Sequence, residues 1–369
     1  MNIVITGANG FVGRNLYQEL VKEDKYNVIK ITRETADEFL KSSLREADFI
    51  FHLAGENRPE TEEGFIEGNV NLSEKIIKYT KDNPKKPAIV YSSSIQAEKD
   101  NPYGQSKNKA EQLFEAFRTE NGNEVYIYRL NNLFGKWSKP NYNTVIATFC
   151  HKIARNEEVQ INDPNVELTL NYIDDVLDEF KRALQGNPTI VDGFGIVSNE
   201  HKVKLGYIAE TIKQFKQDRE DRTLPKLDDA FIKALYSTYL SFLPEDEFSY
   251  PLTTHSDHRG SFTEFLKTPD RGQVSVNISK PGITKGQHWH HTKNEKFLVV
   301  SGKGVIRFRM PDSDNVIEYF VSGDTLEVLD IPVGYTHNIE NLGDTDMVTI
   351  MWVNEMFDPE KPDTYYLEV

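Results

Sequence analysis

Short apolar runs alternate with longer mixed segments through the first half of the chain. Five of these runs read as buried strands: 3–5, 28–31, 49–51, 88–91 and 125–128. The segments between them carry helical spacing, as in 107–118, and further helices are predicted at 174–184, 205–217 and 227–243. Strands that alternate with helices favour parallel pairing through crossover helices. We therefore predict an α/β fold with a doubly wound parallel sheet of Rossmann type.

The pattern changes near Pro244. From Tyr250 onward, short alternating runs are separated by glycine, and six of them read as strands: 273–279, 295–301, 305–308, 316–321, 325–329 and 347–353. This pattern is typical of an all-β sandwich or jelly roll. A chain of 369 residues is long enough for two domains, which we place at 1–244 and 245–369.

Composition narrows the class of protein. A hydrophobic content of 38% and a charged content of 27% describe a globular chain. The formal net charge of −15 argues against nucleic acid and anionic membranes as partners. The single cysteine, Cys150, fits a reducing compartment. No apolar run is long enough for a bilayer, and no basic region of a signal peptide is present, so we expect a cytoplasmic protein.

A glycine-rich segment follows the first predicted strand. Its spacing is G-x-x-G-x-x-G over residues 7–13, which differs from the G-x-G-x-x-G of the usual dinucleotide fingerprint. Glycines here allow the backbone to approach a pyrophosphate at a helix N-terminus. An ordinary turn is the alternative, but the position directly after the first strand favours a dinucleotide. The predicted cofactor contacts in this segment are Gly7, Asn9, Gly10, Phe11, Val12 and Gly13.

The end of the second strand bears on the choice of cofactor. Sites that prefer NAD carry an acidic residue there, whereas this strand ends with Thr32, Arg33 and Glu34. A guanidinium suits a 2′-phosphate, and Arg14 follows the last glycine closely enough to assist. A solvated surface arginine is the alternative. We predict NADPH as the cofactor.

A tyrosine and a lysine mark a candidate catalytic helix. Tyr103 and Lys107 stand four residues apart, and so on one face of a helix. A neighbouring ammonium lowers a tyrosine pKa from its usual value of about 10, so the pair can deliver a proton to a carbonyl oxygen. The serine run 92–94 ends the fourth strand, where a hydroxyl can bind the same oxygen. An exposed tyrosine beside a solvated lysine and an ordinary serine-rich loop are the alternatives.

These residues together resemble the extended short-chain dehydrogenase/reductase family of nucleotide-sugar epimerases, dehydratases and reductases. The matching pieces cover about residues 1 to 240 in order: 7–13, 52–55, Asn69, 92–94, Tyr103 with Lys107, 129–135 and 172–176. The resemblance implies additional cofactor contacts at Leu53, Ala54, Gly55 and Asn69.

The same resemblance implies roles at the reacting centre. Tyr103 would be the proton donor, and Lys107 would tune it and hold the nicotinamide ribose. Ser94 would polarise the carbonyl, and Asn132 would touch the sugar nucleotide. The separation between Ser94 and Tyr103 is shorter than in many extended members, so Ser92 and Ser93 remain open as alternatives to Ser94.

Histidines are concentrated in the second half of the chain. Of the nine histidines, six fall between His255 and His337. We expect His288 and His290 on one face of a strand and Glu295 on a neighbouring strand. Together with His337 they supply three imidazoles and a carboxylate, which suit a divalent transition metal such as zinc, iron, nickel or manganese. For His291 we expect a structural role.

Two resemblances apply to this second region. Its motifs are similar to those of the cupin superfamily, which implies His288, His290, Glu295 and His337 as the ligands of one divalent metal, with zinc as the first choice. Residues 257–264 and 285–288 resemble the sugar-nucleotide 3,5-epimerases, in which the histidine at the place of His288 is an active-site residue and metal is usually absent. We favour the ligand role because the other three residues complete a set. Arg259 and Lys285 are candidate contacts to the diphosphate or the sugar, with plain surface charge as the alternative.

The chain as a whole resembles bifunctional capsule-sugar enzymes of UDP-N-acetyl-L-fucosamine synthesis. The resemblance implies a UDP-2-acetamido-2,6-dideoxy-4-hexulose substrate, epimerised at C3 by the cupin domain and then reduced at C4 with NADPH to UDP-2-acetamido-2,6-dideoxy-L-talose. This order is sensible because the C3 proton is acidic only while the ketone exists. His258, Tyr335 and an unliganded His288 are the candidate bases, and we expect a homodimer.

Two other functions remain open at this point. The chain can be a monofunctional 4-ketosugar reductase in which a structural cupin supplies dimerisation. It can also be a non-catalytic NADPH sensor or scaffold. The intact pair of Tyr103 and Lys107 argues against the sensor, which needs no proton donor.

Overall fold

The computed structural model describes all residues from 1 to 369 and divides into two compact units. The first unit comprises Met1–Lys213 and Asp229–Pro244, and the second comprises Gln214–Asp228 and Glu245–Val369. The predicted boundary lies where the chain enters the second unit for the last time. Residues 214–228, which that boundary puts in the first domain, belong to the second unit. None of the helices combines the length and the apolarity that a membrane span requires.

The first unit is built from alternating strands and helices. Its strands are β1 Asn2–Thr6, β2 Asn27–Ile31, β3 Phe49–His52, β4 Ala88–Ser94, β5 Val125–Leu130, β6 Asn132–Phe134, β7 Glu167–Tyr172, β8 Ile190–Val191, β9 Phe194–Gly195 and β10 His201–Lys204. Its helices are α1 Phe11–Leu20, α2 Asp37–Glu46, α3 Glu63–Phe65, α4 Leu72–Thr80, α5 Pro102–Asn121, α6 Val145–Ala154, α7 Ile173–Leu184, the first part of α8 Leu205–Asp221, and α9 Ala230–Leu240. A π-helical turn, Ile66–Asn71, joins α3 to α4, and a 3₁₀ turn, Ile95–Glu98, follows β4.

Parallel pairing organises this unit. A seven-stranded sheet has the order β2-β1-β3-β4-β5-β9-β8, and β1 to β5 pair in parallel. A smaller sheet has the order β10-β7-β6. The five strands predicted from the apolar runs are β1 to β5, and the predicted Rossmann-type parallel sheet is confirmed.

Both faces of the large sheet are buried, which explains why its strands are continuous apolar runs. On one face Ile3 and Phe51 pack with Leu16 of α1. On the other face Val4 and Tyr91 pack among residues of α2, α4 and α5. Because β1, β3 and β4 are parallel, the loops that follow them gather at one edge of the sheet, where ligands of such folds bind.

The second unit is antiparallel throughout its named strands. They are β11 Thr254–Asp257, β12 Gly260–Thr268, β13 Gly272–Ser279, β14 Thr284–Trp289, β15 Glu295–Ser301, β16 Lys303–Arg309, β17 Val316–Ser322, β18 Val328–Ile331, β19 Thr336–Asn341, β20 Met347–Val353 and β21 Tyr365–Tyr366. The strand predicted at 325–329 starts only at Val328.

Two sheets make up the second unit, in the orders β11-β12-β13-β20-β15-β18 and β17-β16-β19-β14-β21. Side chains from both sheets form its core, including Phe297 and Val299 of β15 and Phe308 of β16. The predicted all-β domain is confirmed, and its two-sheet architecture is consistent with a cupin-like jelly roll.

Candidate active site and candidate metal centre

The glycine loop lies at the carboxyl end of β1. Gly7 has a φ of +69°, and a Cβ there would lie 2.7 Å from the backbone nitrogen of Ala54. A Cβ on Gly13 would lie 2.2 Å from the Gly7 carbonyl oxygen. Gly10 precedes α1 and provides no side-chain cap, so the first N–H groups of the helix point outward without a side-chain acceptor. This loop can therefore receive an anionic group at the helix N-terminus.

The other predicted residues of this loop differ in their accessibility. Asn9 and Arg14 are exposed, and the Arg14 guanidinium stacks over the Trp137 ring at 4.7 Å from its centroid. Val12 packs against the hydrophobic core, so only its backbone can face a ligand. Phe11 is partly buried at the first position of α1.

The Tyr103 phenol lies beside the Ser94 hydroxyl, close enough for Ser94 to influence its pKa. Asn101 caps α5 by accepting a bond from the Gly104 N–H at 2.9 Å, which fixes the turn that carries Tyr103. Burial raises the pKa of Tyr103, and the neighbouring Ser94 hydroxyl opposes that rise. The phenol is therefore protonated at neutral pH, and the expected lowering of its pKa by Lys107 is not found.

Lys107 lies buried close to this pair. Its Nζ donates to the Ser92 carbonyl oxygen at 2.9 Å. Burial lowers the pKa of Lys107 to about 8, and the nearby Glu111 carboxylate opposes that shift. The ammonium form of Lys107 therefore predominates at pH 7, and the neutral amine predominates once the pH rises above about 8.

The three serines at the end of β4 have different partners. Ser93 is buried and donates to Glu111, which also holds Arg129. Ser92 donates to the His52 carbonyl oxygen at 3.4 Å. Ser94 accepts a bond from the Gln96 N–H at 3.2 Å as well as contacting Tyr103. The structure thus brings together Ser94 and Tyr103, and directs Ser93 into the core.

The loop after β3 is tied to the end of β1. The backbone nitrogens of Leu53 and Ala54 donate to the main-chain and side-chain oxygens of Thr6, at 3.3 and 3.2 Å. A Cβ on Gly55 would lie 2.7 Å from Asn69 Oδ1 and 3.1 Å from Lys107 Nζ. The absence of a side chain at this position therefore lets both groups approach the loop.

Asn69 uses its amide to hold this loop. Its Oδ1 accepts from the Glu56 N–H at 3.0 Å, and its Nδ2 donates to the Glu56 carbonyl oxygen at 2.8 Å and to Ser106 Oγ at 3.0 Å. The π-helical turn Ile66–Asn71 places this buried side chain. Asn69 therefore fixes the loop beside the site, rather than presenting a free amide.

Arg33 is paired with an acidic residue that the sequence analysis missed. Its Nη2 lies 2.5 Å from Glu56 Oε2, while the Arg33 side chain is 84% exposed. Partial burial raises the pKa of Glu56, but hydrogen bonds from Arg58, Arg33 and Asn57 outweigh it and lower the pKa. Because β2 and β3 flank β1, this pair links the loops on either side of the glycine loop. Only the position of Glu56 directly after Gly55 could have signalled it.

Asn132 is exposed at the start of β6. Its Nδ2 donates to the Thr169 carbonyl oxygen at 3.4 Å across the small sheet. The side chain is thus accessible and only weakly held.

In the second unit, the four predicted metal ligands meet. One donor atom from each of His288, His290, Glu295 and His337 lies within 4.8 Å of all the others. Glu295 Oε2 is 3.2 Å from His337 Nε2 and 3.5 Å from His290 Nε2. The His288 ring centroid is 4.8 Å from that of His290 and 4.7 Å from that of His337.

The protonation states of this cluster suit a metal. Burial and the neighbouring imidazoles lower the pKa of His288 to about 4, which keeps it neutral. Burial alone would raise the pKa of Glu295, but the His290 and His337 imidazoles bring it down to about 2. His290 Nε2 and Glu295 Oε2 are buried without a hydrogen-bond partner although they face each other. Burial lowers the pKa of His290, but Glu295 and the Asp363 carbonyl oxygen outweigh burial and raise it, so His290 Nε2 would give up a proton when a metal binds. Three imidazoles and an ionised carboxylate in contact are a donor set that fits a divalent transition ion.

The ligands arrive by a route that differs from the prediction. β14 ends at Trp289, so His290 lies in the following loop and not on the strand. A bulge interrupts the pairing of β14 between Gly286 and His288, where Gln287 has a φ of +64°. Simple alternation along a strand therefore does not apply. Glu295 begins β15, which belongs to the opposite sheet.

The remaining candidates of this unit have local partners. The exposed Arg259 guanidinium pairs with Asp257 at 2.7 Å. Lys285 Nζ donates to Asn277 Oδ1 at 2.8 Å and to the Ile278 carbonyl oxygen at 2.7 Å, and burial lowers its pKa. Of the candidate bases outside the ligand set, His258 is exposed, and the partly buried Tyr335 packs against the core.

Two family models match the chain. Residues 3–193 match the NAD dependent epimerase/dehydratase family, and residues 255–365 match the polysaccharide biosynthesis C-terminal domain. The chain belongs to the NAD dependent epimerase/dehydratase family. The glycine loop, Tyr103 and Lys107 all lie within the segment that the family model covers.

Full-length relatives agree with this assignment. A UDP-2-acetamido-2,6-beta-L-arabino-hexul-4-ose reductase of Pseudomonas aeruginosa is 44% identical over 369 residues, which is 100% of this chain and 99% of the relative. The crystal structure of the capsular polysaccharide assembling protein CapF of Staphylococcus aureus is 67% identical, with a TM-score of 0.95 and complete coverage of both chains. This likeness confirms the predicted whole-chain resemblance. A UDP-glucose 4-epimerase of Thermotoga maritima shares the fold at 19% identity, with a TM-score of 0.55 over 66% of this chain and 98% of that chain.

Proposed function

We propose that the chain is an NADPH-dependent reductase of a UDP-linked 4-ketosugar that also epimerises its substrate at C3, for capsular polysaccharide synthesis. The proximity of Ser94 and Tyr103, with Lys107 buried beside them, carries the reductase proposal. The substrate, UDP-2-acetamido-2,6-dideoxy-4-hexulose, is supported by the name of the Pseudomonas aeruginosa relative, which is matched from end to end. The description of the Staphylococcus aureus protein as capsule-assembling supports the pathway.

Reduction at C4 needs a hydride and a proton. NADPH supplies the hydride when it is bound, and becomes NADP⁺ as the ketone becomes an alcohol. Tyr103 gives its phenolic proton to the carbonyl oxygen, while Ser94 donates a hydrogen bond to that oxygen. The Lys107 ammonium stabilises the resulting phenolate and binds the nicotinamide ribose. Reduction then gives the UDP-2-acetamido-2,6-dideoxy-L-talose product.

Cofactor and substrate binding are divided among the loops at the edge of the sheet. The residues 7–13 bind the pyrophosphate, and Leu53, Ala54 and Gly55 line the same edge. Arg33, with Arg14, binds the 2′-phosphate. Asn69 acts through the loop that it holds, and Asn132 contacts the sugar nucleotide.

The second domain supplies the epimerase. His288, His290, Glu295 and His337 hold one divalent metal, with zinc as first choice, since imidazole and carboxylate ligands suit that ion. A bound metal supplies Lewis-acid chemistry that favours loss of the proton next to the ketone. His258 or Tyr335 removes the C3 proton, and a proton derived from solvent is delivered to the opposite face of C3. Arg259 and Lys285 bind the diphosphate or the sugar.

A monofunctional reductase is the second candidate. The Pseudomonas aeruginosa relative spans the whole chain and is named as a reductase alone, which favours this alternative. The second domain would then hold a structural metal and form the homodimer. In either case we propose a cytoplasmic homodimer that binds neither nucleic acid nor membrane.

One assay distinguishes these functions. The full chain is incubated with NADPH and the UDP-linked 4-ketosugar in D₂O, and NADPH oxidation and deuterium at C3 are followed together. Oxidation with deuterium at C3 supports the bifunctional enzyme. Oxidation without deuterium at C3 supports the monofunctional reductase. No oxidation with any of a panel of nucleotide 4-ketosugars would refute both and leave an NADPH sensor.

A further inference from the structure

The loop between β14 and β15 is the least regular part of the candidate metal centre. It separates His288 near the end of β14 from Glu295 at the start of β15, and it contains His290 itself. A ligand in a loop needs other groups to hold it in place, because no sheet ladder fixes its backbone.

A residue far along the chain holds this loop. The Asp363 carboxylate accepts from the His291 N–H at 3.1 Å and from the Thr292 N–H at 2.8 Å. It also accepts from the Thr292 hydroxyl at 3.0 Å and from the Lys293 N–H at 3.0 Å. Three consecutive loop residues are therefore bound to one carboxylate.

The backbone of Asp363 reaches the ligand itself. Its carbonyl oxygen lies 2.6 Å from His290 Nδ1. A carbonyl oxygen only accepts, so Nδ1 must carry a proton, and Nε2 is the nitrogen left to bind a metal. His290 Nε2 is the buried atom without a hydrogen-bond partner that faces Glu295. Metal-binding histidines are typically oriented in this way by a hydrogen bond to the other ring nitrogen.

The segment around Asp363 is itself fixed. The buried Lys293 donates through Nζ to the Pro362 carbonyl oxygen, so the loop also holds the segment. Two residues after Asp363, strand β21 begins, and its Tyr365 and Tyr366 pair with Trp289 and His288 of β14. The side chain and the backbone of Asp363 thus act on the same loop from an anchored position.

We propose that Asp363 is a positioning residue of the metal centre: its carboxylate holds the 291–293 loop, and its carbonyl selects the His290 tautomer that binds metal through Nε2. The inference rests on the proposed metal site. It does not rest on the reductase or epimerase activity, because metal uptake is measured without substrate or NADPH.

The test compares the full-length wild type with Asp363→Ala and Asp363→Asn. Zn²⁺ affinity is measured by competition with a chelator, and Co²⁺ is added separately to record its visible absorption spectrum. Asp358→Ala is the matched control, because the carboxylate of this exposed aspartate in the same segment accepts from the Glu360 N–H at 2.9 Å and not from the 291–293 loop. Loss of an outer-shell partner typically weakens metal binding by about 10- to 100-fold.

We expect a loss of that size in Asp363→Ala, a smaller loss in Asp363→Asn, and wild-type affinity in Asp358→Ala. Asparagine keeps one acceptor oxygen but turns an NH₂ group towards an N–H donor, so part of the contact is lost. If the alanine variant fails to fold, the asparagine variant provides the test. The cobalt spectrum should change in both Asp363 variants. Loss of a residue that only stabilises the fold would leave that spectrum unaltered.

Wild-type zinc affinity and an unchanged cobalt spectrum in the folded Asp363 variants would overturn the assignment. A wild-type chain that takes up no zinc would overturn the metal site itself, and the role of Asp363 with it. A chain that binds zinc as expected but reduces no ketosugar would overturn the proposed function alone.

Discussion

The Arg33 guanidinium lies 2.5 Å from the Glu56 carboxylate, so the residue proposed to bind a 2′-phosphate already has an anionic partner. An incoming phosphate must compete with that carboxylate for the same donors. Arginine binds phosphate in a bidentate manner, and its exposed position beside the glycine loop leaves it free to exchange partners. Cofactor preference therefore depends on two residues, of which one attracts the phosphate and the other repels it.

Arg33→Ala should raise the KM for NADPH by about 10-fold or more, the cost of one lost charge-assisted contact. The KM for NADH should barely change, because NADH has no 2′-phosphate. Steady-state kinetics with both cofactors at saturating ketosugar would measure this. Equal increases for both cofactors would show that Arg33 does not bind the 2′-phosphate.

Glu56→Gln should have the opposite effect and tighten NADPH binding by several-fold. The glutamine retains a carbonyl oxygen for the Asn57 and Arg58 N–H groups but removes the negative charge that competes for Arg33. Isothermal titration with NADPH and NADH gives the two affinities directly. Weaker NADPH binding would instead mean that Glu56 mainly holds Arg33 ready for the phosphate.

Tyr103→Phe should lower kcat for ketosugar reduction by more than about 100-fold, the lower range for loss of a general acid. The phenol is half-buried and contacts Ser94 rather than the glycine loop, so NADPH affinity should stay within about twofold. Stopped-flow hydride transfer and NADPH titration together give both quantities. A variant that turns over at nearly the wild-type rate would exclude Tyr103 as proton donor.

Lys107 gives the reductase a pH limit. Burial lowers its pKa to about 8, whereas the pKa of an ordinary lysine is about 10.4. The lowered pKa means that the charged form is lost as the pH rises through about 8, so kcat/KM for reduction should decline above that value. The raised pKa of Tyr103 keeps its proton in place over the same range. A profile that stays flat until about pH 10 would contradict a role for the buried ammonium.

The sequence predicts those parts of the site that depend on local spacing. Tyr103 and Lys107 share a helix face because four residues make slightly more than one turn. The glycines at 7–13 follow a strand, so their place at the edge of a parallel sheet is also predictable. The resemblance to the cupin motifs identified all four metal donors, but it did not give their route to the centre.

Contacts between distant loops set the remainder of the site. The pairing of Arg33 with Glu56 depends on the fold of the loop after β3, which Asn69 holds from a π-helical turn. The bulge at Gln287 and the end of β14 at Trp289 put His290 in a loop, where Asp363 holds it. No periodic pattern in the sequence reports such contacts. The pKa of Tyr103 likewise depends on burial, which the four-residue spacing does not reveal.

The epimerase can be tested apart from the reductase in the full chain. The Tyr103→Phe variant should keep the ketone unreduced, so exchange of the C3 proton in D₂O can be followed by NMR over a long incubation. The neutral His288 and the ionised Glu295 are in metal-binding form near neutral pH. If the bound metal acidifies the C3 proton, adding His337→Ala to Tyr103→Phe should slow exchange by more than about 100-fold, since Lewis-acid stabilisation supplies several kcal/mol.

His291→Ala in the same background is the matched control, because His291 is exposed and lies outside the ligand set. Undiminished exchange in the Tyr103→Phe/His337→Ala double variant would mean that the metal does not take part. No exchange in a metal-loaded Tyr103→Phe chain would leave the second domain with a structural role.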